Sequence, residues 1–496
     1  MARLPDKPRF AAAPSSRVYE AIVLGSSFGA AFAAALLARR GLRVLWVEQG
    51  SPPAAYAHQG FLWPTRAIPL PHPRAVPLFE DALSELGLTT QVSRALRPVV
   101  PALQLVLPRH RLDLPLDDGR RLAECTREFA TSGAHLAELV KQLATAHTST
   151  DGFLRSKEAL PAGGLLARWR LRRALRGWPA LDSPSPLSDS DPAENLLSRG
   201  SAFLVYREPV GPLAVQRTLG QLLRGPQRFP GGLAGFQDLL RHRFEELGGT
   251  LLPVDSVPGS GLNSLRLEGG QPVGVDLRGS EATHRAAFVL SALDDAELLP
   301  LVPESLRTAR PHALHPATPS HAILAVHWVL PATALPQGLG ELALVDDATP
   351  LGEHLVQVGP ARRHEARSDE AGLRLVTATA VFPADVEAAL VSAHAARLEE
   401  ALERLLPFAR RQVVARSVPQ LDAPQRVPAP LHPLLPRPAK TAWEPLGTPP
   451  NTPWPGLLRA GREVCPGLGV EGELLAALGA VARVQRATQK RRPGGR

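Results

Sequence analysis

The sequence predicts an α/β fold, and three stretches carry that expectation. Val18 to Gly50 reads as strand, tight turn, helix and second strand. Phe229 to Ser291 reads as a glycine turn feeding a helix, followed by strands. Gly456 to Val484 reads as a short strand, a glycine-rich turn and an outward-running helix. Strands that alternate with helices at crossover distance favour parallel pairing.

In order along the chain, residues 1–17 form a Pro-punctuated tail expected to lie outside the fold. Val18 to Leu24 is a β-rich run that ends at Gly25, and small helix-forming residues follow from Ser27 to Arg40. Gly41 stops that helix, and Arg43 to Val47 reads as a strand ending on Glu48, 23 positions after Gly25. This arrangement suits a dinucleotide. Backbone N–H groups at the helix start face a pyrophosphate, and an acid at the end of the second strand accepts from ribose hydroxyls. In the pattern G-x-G-x-x-G/A the chain supplies Gly25 and Ala30, with Ser27 at the second glycine position. Ala21 to Ala38 runs 18 residues without a charge, as a membrane anchor would. Gly25, Ser26, Ser27 and Gly29 interrupt it and alanine dominates the rest, so it reads as a buried βαβ unit.

Ser51 to Arg74 is rich in loop-forming residues, Leu78 to Leu88 reads as a helix, and Pro101 to Pro115 as strands. Arg120 to Ala146 has helical spacing through Leu122, Phe129, Leu136, Leu139 and Leu143. Gly163 to Trp178 places Leu171, Ala174, Leu175 and Trp178 on one side of a helix and Arg172, Arg173 and Arg176 on the other. Such a helix either packs on its own domain or lies on an anionic membrane surface. Leu181 to Pro192 is a loop by composition. After the helix that begins in Phe229–Leu240 come strands at Thr250–Val254, Asn263–Leu267, Pro272–Leu277 and Ala286–Ser291. A second set is expected at Ser320–Leu330, Leu339–Val345, Leu355–Val358 and Leu373–Phe382, then a charged helix over Glu387–Leu406. Gln425 to Pro455 is Pro-rich and reads as irregular. The last helix begins near Val470 and carries Glu471 and Glu473 in its first turn, where the helix dipole favours acids.

With 496 residues the chain can hold two domains or one large discontinuous one. The net charge of +9 would attract anionic surfaces, but no basic cluster is interleaved with aromatics as a nucleic-acid groove requires. Cys125 and Cys465 are the only cysteines, which excludes a disulfide framework and a paired-Cys metal site; no cleavable signal peptide is apparent, so the cytoplasm is the expected compartment. Neither a Ser-His-Asp set, metal-ligand spacing nor a carboxylate pair stands out, so no catalytic residue is assigned. His321 and His327 fall on one face of an expected strand, where satisfied histidines outnumber functional ones. Cys465 reads as a buried structural thiol rather than a reactive one.

Together, E-A-I-V-L-G-S-S-F-G-A through V-E-Q-G, F-P-G-G-L-A-G-F-Q-D-L-L through A-A-F-V-L-S-A-L-D-D, and L-L-R-A-G-R-E-V-C-P-G-L-G-V-E-G-E-L-L-A-A-L resemble the FAD-dependent amine oxidase and phytoene desaturase superfamily. The likeness is strongest to phytoene dehydrogenase-like proteins. It implies a Rossmann-like FAD-binding domain with an inserted mixed sheet-and-helix substrate domain. The FAD-binding domain would comprise 18–100, 226–300 and 451–488, and the substrate domain 101–225 and 301–450, with tails at 1–17 and 489–496. It further implies that Gly25, Ser26, Ser27, Phe28, Gly29 and Ala30 hold the pyrophosphate, Glu48 the ribose and Val257 the adenine. Gly461 and Arg462 would meet the ribityl and pyrophosphate, and Gly469, Val470 and Glu471 the flavin O2. The implied substrate is small and apolar, of polyene or lipid type, reached by a peripheral membrane contact through Gly163–Trp178. Against the family pattern, Ser27 replaces a glycine, no G-G-R follows Glu48, and Arg462 replaces an acid. Arg462 is therefore expected to compensate at the pyrophosphate. The alternative reading is a non-catalytic binding or scaffold protein on a degenerate FAD-binding fold.

Overall fold

The computed structural model describes residues 18–50, 54–156, 160, 165–176, 187–253, 261–278, 283–309, 314–346, 348–349, 351–364, 369–384, 388–423, 432–437 and 443–491. Two sheets organise them. The first contains β1 (Val18–Leu24), β2 (Val44–Glu48), β3 (Thr250–Pro253), β4 (Leu262–Glu268), β5 (Gln271–Leu277), β6 (Thr283–Ser291) and β7 (Leu457–Arg459). Their order is β3-β2-β1-β6-β5-β4, with β7 also paired to β6. β1 pairs in parallel with both β2 and β6, so the strand order reverses direction at β1. In open α/β sheets ligands bind beyond the carboxyl ends of the strands at such a switch point.

Register aligns those ends. Leu24 faces Val47 and Ser291, Glu48 faces Pro253, and Ser291 faces Arg459. Segments more than 400 residues apart in sequence, Gly25–Ala30 and Ala460–Arg462, therefore emerge from one edge of one sheet. Helix α1 (Phe28–Arg39) rises from this edge and is buried from Phe28 to Ala38. A helix without a polar face belongs inside a protein, and α1 is enclosed by the sheet, α2 (Gly232–Glu246) and α3 (Gly469–Arg491). Alanine permits close approach along its length, and Phe28, Phe32, Phe79 and Phe236 fill the wider spaces, with ring centroids 4.9–6.4 Å apart.

The second sheet draws on both intervening regions. It runs Arg111–Leu114, Leu103–Val106, Leu342–Val345, His354–Arg362, Asp369–Pro383 and His321–Pro331, then Pro433–Pro436 and Arg207–Glu208. Most strands and helices lie within a few residues of their expected bounds. Arg120–Ala146 divides into helices Asp118–Glu128 and Gly133–Ala146. Ser51–Arg74, read as loop, contains the hairpin Ala55–His58 and Phe61–Pro64. The helix expected over Gly163–Trp178 is described for Leu165–Arg176, and Trp178 lies outside the described residues. Its Leu171 and Leu175 pack into the core around α1, while Arg170, Arg172, Arg173 and Arg176 are exposed.

The ends of β6 and β7 are joined by a buried ion pair. Arg459 donates from Nε to Asp295 Oδ1 at 2.7 Å and from Nη2 to Oδ2 at 2.9 Å, and the His315 N–H donates to Oδ2 at 2.9 Å. Removing one member of such a pair leaves the other charge buried without compensation. Asp295→Ala should lower the unfolding free energy by about 3–5 kcal/mol in urea denaturation.

Candidate cofactor cleft

The turn after β1 is built by glycine and serine. Gly25 has φ +124°, a conformation that strains any residue with a Cβ, and its N–H donates to the Val47 carbonyl at 3.0 Å. Its own carbonyl accepts from Trp46 Nε1 at 2.7 Å, and the Ser26 hydroxyl donates to the Gly50 carbonyl. Ser27 is the N-cap of α1: its hydroxyl accepts from the Ala30 N–H at 3.3 Å. The serine at the second glycine position thus serves a helix terminus.

Next to this cap the Gly29 N–H donates to Glu473 Oε2 at 3.0 Å, a buried contact spanning 444 residues. Glu473 comes from the first turns of α3, and Tyr206 hydrogen-bonds the same carboxylate. A Cβ on Gly29 would lie 3.0 Å from the Ala460 and Glu473 carbonyl oxygens, so glycine here sets how closely α1 and α3 approach. The oxyanion place at the start of α1 is therefore in use by the protein's own carboxylate.

Glu48 is also partnered. Arg241 on α2 donates from Nε to both its oxygens, at 2.9 and 3.1 Å, and from Nη2 to Oε1. One helical turn earlier, Gln237 Nε2 donates to the Ser26 carbonyl at 3.2 Å. Residues at i and i+4 share a helix face, so α2 tethers the turn and the ribose-type acid together. Val257 lies outside the described residues.

Beyond β7, Gly461 sits where a Cβ would come within 2.6 Å of the Ala292 carbonyl oxygen. Arg462 turns to Asp294, donating from Nε to Oδ1 at 3.1 Å and to Oδ2 at 3.0 Å and from Nη2 to Oδ2. Burial works against its charge, and Asp294 more than offsets burial, so the guanidinium pKa rises. Gly469 opens α3 with φ +53°. Glu471 is held from the opposite direction, by Arg217 Nε at 2.8 Å and Nη2 at 2.6 Å and by Gln221 Nε2 at 2.6 Å. Val470 and Glu471 border a small cavity that also meets Arg66, Thr218 and Gln221. A larger cleft, about 900 Å³ including space open to solvent, adjoins Arg66 on the side of the second sheet.

The sheet register brings Gly25–Ala30, Glu48, Gly461 and Arg462 to one edge, α3 joins them through Glu473 on Gly29, and Glu48, Arg462 and Glu471 each meet an oppositely charged side chain from a distant segment. Arg241 and Arg217 carry no local motif, and Asp294 lies in the A-A-F-V-L-S-A-L-D-D segment without any local sign of its partner. Glu473 was visible only as an acid in a helix first turn; that it reaches α1 follows from packing. His327 is fully buried with Nδ1 2.9 Å from Thr377 Oγ1, and burial lowers its pKa to about 3; His321 lies near the start of the same strand. Cys465 is buried, which pushes its thiol pKa up. Among the described residues no group of three or more His, Cys, Asp and Glu side chains could hold a metal ion.

No protein-family model matches the sequence, and no curated protein matches it. Solved structures do share the fold. Cyclohexylamine oxidase from Brevibacterium oxydans is 15% identical with TM-score 0.56, over 95% of this chain and 99% of its own. A putrescine oxidase double mutant is 12% identical with TM-score 0.55, over 95% and 99%. An oxidoreductase from Methanosarcina mazei is 16% identical with TM-score 0.54, over 93% and 100%. The chain has the fold of these oxidoreductases.

Glu463 sits in the same turn as Arg462. Burial is the main influence on its carboxyl, repulsion from Asp294 and Asp295 adds to it, and its pKa lies well above the ordinary carboxylate range. The folded state therefore holds a proton that the unfolded chain releases. This contribution to stability is complete below the ordinary carboxylate pKa and is lost as pH rises toward the raised one. Glu463→Gln should be more stable than the parent at pH 8, with the difference shrinking toward pH 5, in urea unfolding at each pH.

Proposed function

We propose that this protein is an FAD-dependent oxidoreductase acting on an apolar substrate of polyene or lipid type. The observation that carries the reading is the oxyanion site at the start of α1, which lies beside Glu48 at the switch point of the first sheet. Glu473 is a stand-in there: its carboxylate on the Gly29 N–H is evidence that this turn accepts an anionic oxygen. The donor set fits a diphosphate on the condition that Glu473 gives up that N–H. In the proposed complex Gly25–Ala30 hold the diphosphate and Glu48 the ribose hydroxyls, with Arg241 remaining on its other oxygen. Gly461 takes the ribityl side, and the start of α3 at Val470 and Glu471 favours negative charge on the flavin. Bound FAD supplies two-electron redox chemistry; the protein binds, orients and shields. Ile68, Val99, Phe229, Leu233 and Leu375 give the larger cleft an apolar wall suited to such a substrate.

The reading is tested by flavin fluorescence quenching and thermal shift with added FAD. Glu48→Ala should weaken binding by about 1–3 kcal/mol, the range for a hydrogen bond to a charged group. Glu473→Gln should bind FAD roughly tenfold tighter than the parent, because a neutral acceptor competes less well than a carboxylate for the Gly29 N–H. The second reading, a binding protein without redox activity, is favoured by the completeness of the pairs Glu473–Gly29, Glu48–Arg241 and Asp294–Arg462 without any ligand. A colourless protein indifferent to FAD in both variants would select it.

The same proposal keeps a peripheral membrane contact at the helix Leu165–Arg176. With Leu171 and Leu175 buried, contact falls to the exposed arginines and Trp169, and is electrostatic. Among the described residues no helix is long and apolar enough to cross a membrane. Each arginine near an anionic surface contributes about 1 kcal/mol. Sedimentation with anionic vesicles should occur at low salt, fall at high salt, and disappear on charge reversal of Arg172, Arg173 and Arg176.

A further inference from the structure

Among the described residues Arg66 is a buried cation without a carboxylate in direct contact. Its side chain is 4% exposed, and Nε and Nη1 have no hydrogen-bond partner. Its guanidinium lies 4.8 Å over the Tyr206 ring and is within hydrogen-bonding reach of the Tyr206 hydroxyl, favourable contacts with a neutral group but not a counter-charge. Arg462 is a neighbour of like charge, and burial together with the nearby arginines keeps His432 neutral, so neither compensates it. Glu473 attracts it from further off, but that carboxylate is engaged by the Gly29 N–H and the Tyr206 hydroxyl. The cations Arg241, Arg459, Arg462 and Arg217 around the cleft each pair directly with a carboxylate.

Isolated guanidinium charges are costly to bury, and a protein that keeps one in a cavity wall does so stably when an anion completes it. Arg66 borders the apolar cleft on one side and the small cavity at the start of α3 on the other. Both features favour negative charge: the unpaired donors and the positive end of a 23-residue helix. Along the cleft from Arg66 the wall is Ile68, Phe229, Leu233 and Leu375, while the nearby cation Arg228 is paired with Glu341.

We infer that Arg66 anchors the carboxylate of an amphiphilic substrate, a carboxylic acid whose hydrocarbon body lies along the apolar wall of the larger cleft. The inference deepens the proposed function, whose apolar substrate it supplies with a charged end, and it rests on that reading only for the reaction. A protonated amine of the same shape is disfavoured, because its charge would meet the guanidinium in a desolvated space.

The test measures binding of decanoate, decylamine and decanol to the full-length protein by isothermal titration, without FAD and then with saturating FAD. Decanoate should bind at least tenfold more tightly than either analogue, and Arg66→Met should lose that preference. Arg66→Lys, which keeps the charge, should retain part of it, and it replaces the methionine variant if the latter fails to fold. FAD affinity should change less than threefold in either variant. Equal affinity for the three probes, or a decanoate preference that survives Arg66→Met, overturns the inference. Loss of FAD affinity in Arg66→Met with decanoate binding unchanged also overturns it, and assigns the anion to the flavin. Arg66-dependent decanoate binding in a protein that binds no FAD supports the anion site while removing the oxidoreductase reading.

Discussion

The contact between the Gly29 N–H and the Glu473 carboxylate organises much of what surrounds it. It joins the first turn of the helix after β1 to the first turns of the last helix, 444 residues away. Two physical facts meet there. A helix N-terminus leaves N–H donors unsatisfied and carries partial positive charge, and a buried carboxylate needs donors. Gly29 lets the two backbones approach because a Cβ would press on the Ala460 and Glu473 carbonyls. The interaction thereby fixes the distance between α1 and α3 and decides what occupies the oxyanion place when no ligand does.

Around it the protein pairs its buried charges along the carboxyl ends of the strands. Glu48 with Arg241, Asp294 with Arg462, Asp295 with Arg459 and Glu471 with Arg217 each bring together segments distant in sequence. Pairs of this kind add little net stability over apolar packing, yet breaking one strands a charge. They act as locks on register and approach rather than as the source of folding energy, which comes from apolar burial around α1 and in the other core clusters. The pairing stops at Arg66, which borders both cavities with two of its donors unpartnered.

The local signals were legible because they depend on short-range physics. Gly25 marks a turn that only glycine enters easily, and alanine from Ala30 to Ala38 marks a helix enclosed on all sides. Gly41 ends the helix, and Val44 to Val47 has the β-branched and aromatic residues of a buried strand. The basic helix near Arg173 was legible as amphipathic, but not which side it would use. Leu171 and Leu175 meet the core around α1, so the apolar face is covered by the protein itself. The Ala55–Pro64 hairpin was obscured by flanking prolines and glycines, whose turn preference reads locally as loop.

Sequence alone determined the α/β class, the βαβ unit with Glu48 at its end and the two glycine turns. These follow from backbone preferences and hydrophobic periodicity, which act within a few residues. Only the tertiary structure decided what those residues touch: Arg462 on Asp294 rather than free for a phosphate, Glu48 on Arg241, Glu473 on α1, and Arg66 without a direct carboxylate partner. A charged side chain's partner is set by register and helix packing between segments hundreds of residues apart, and no local pattern encodes that distance.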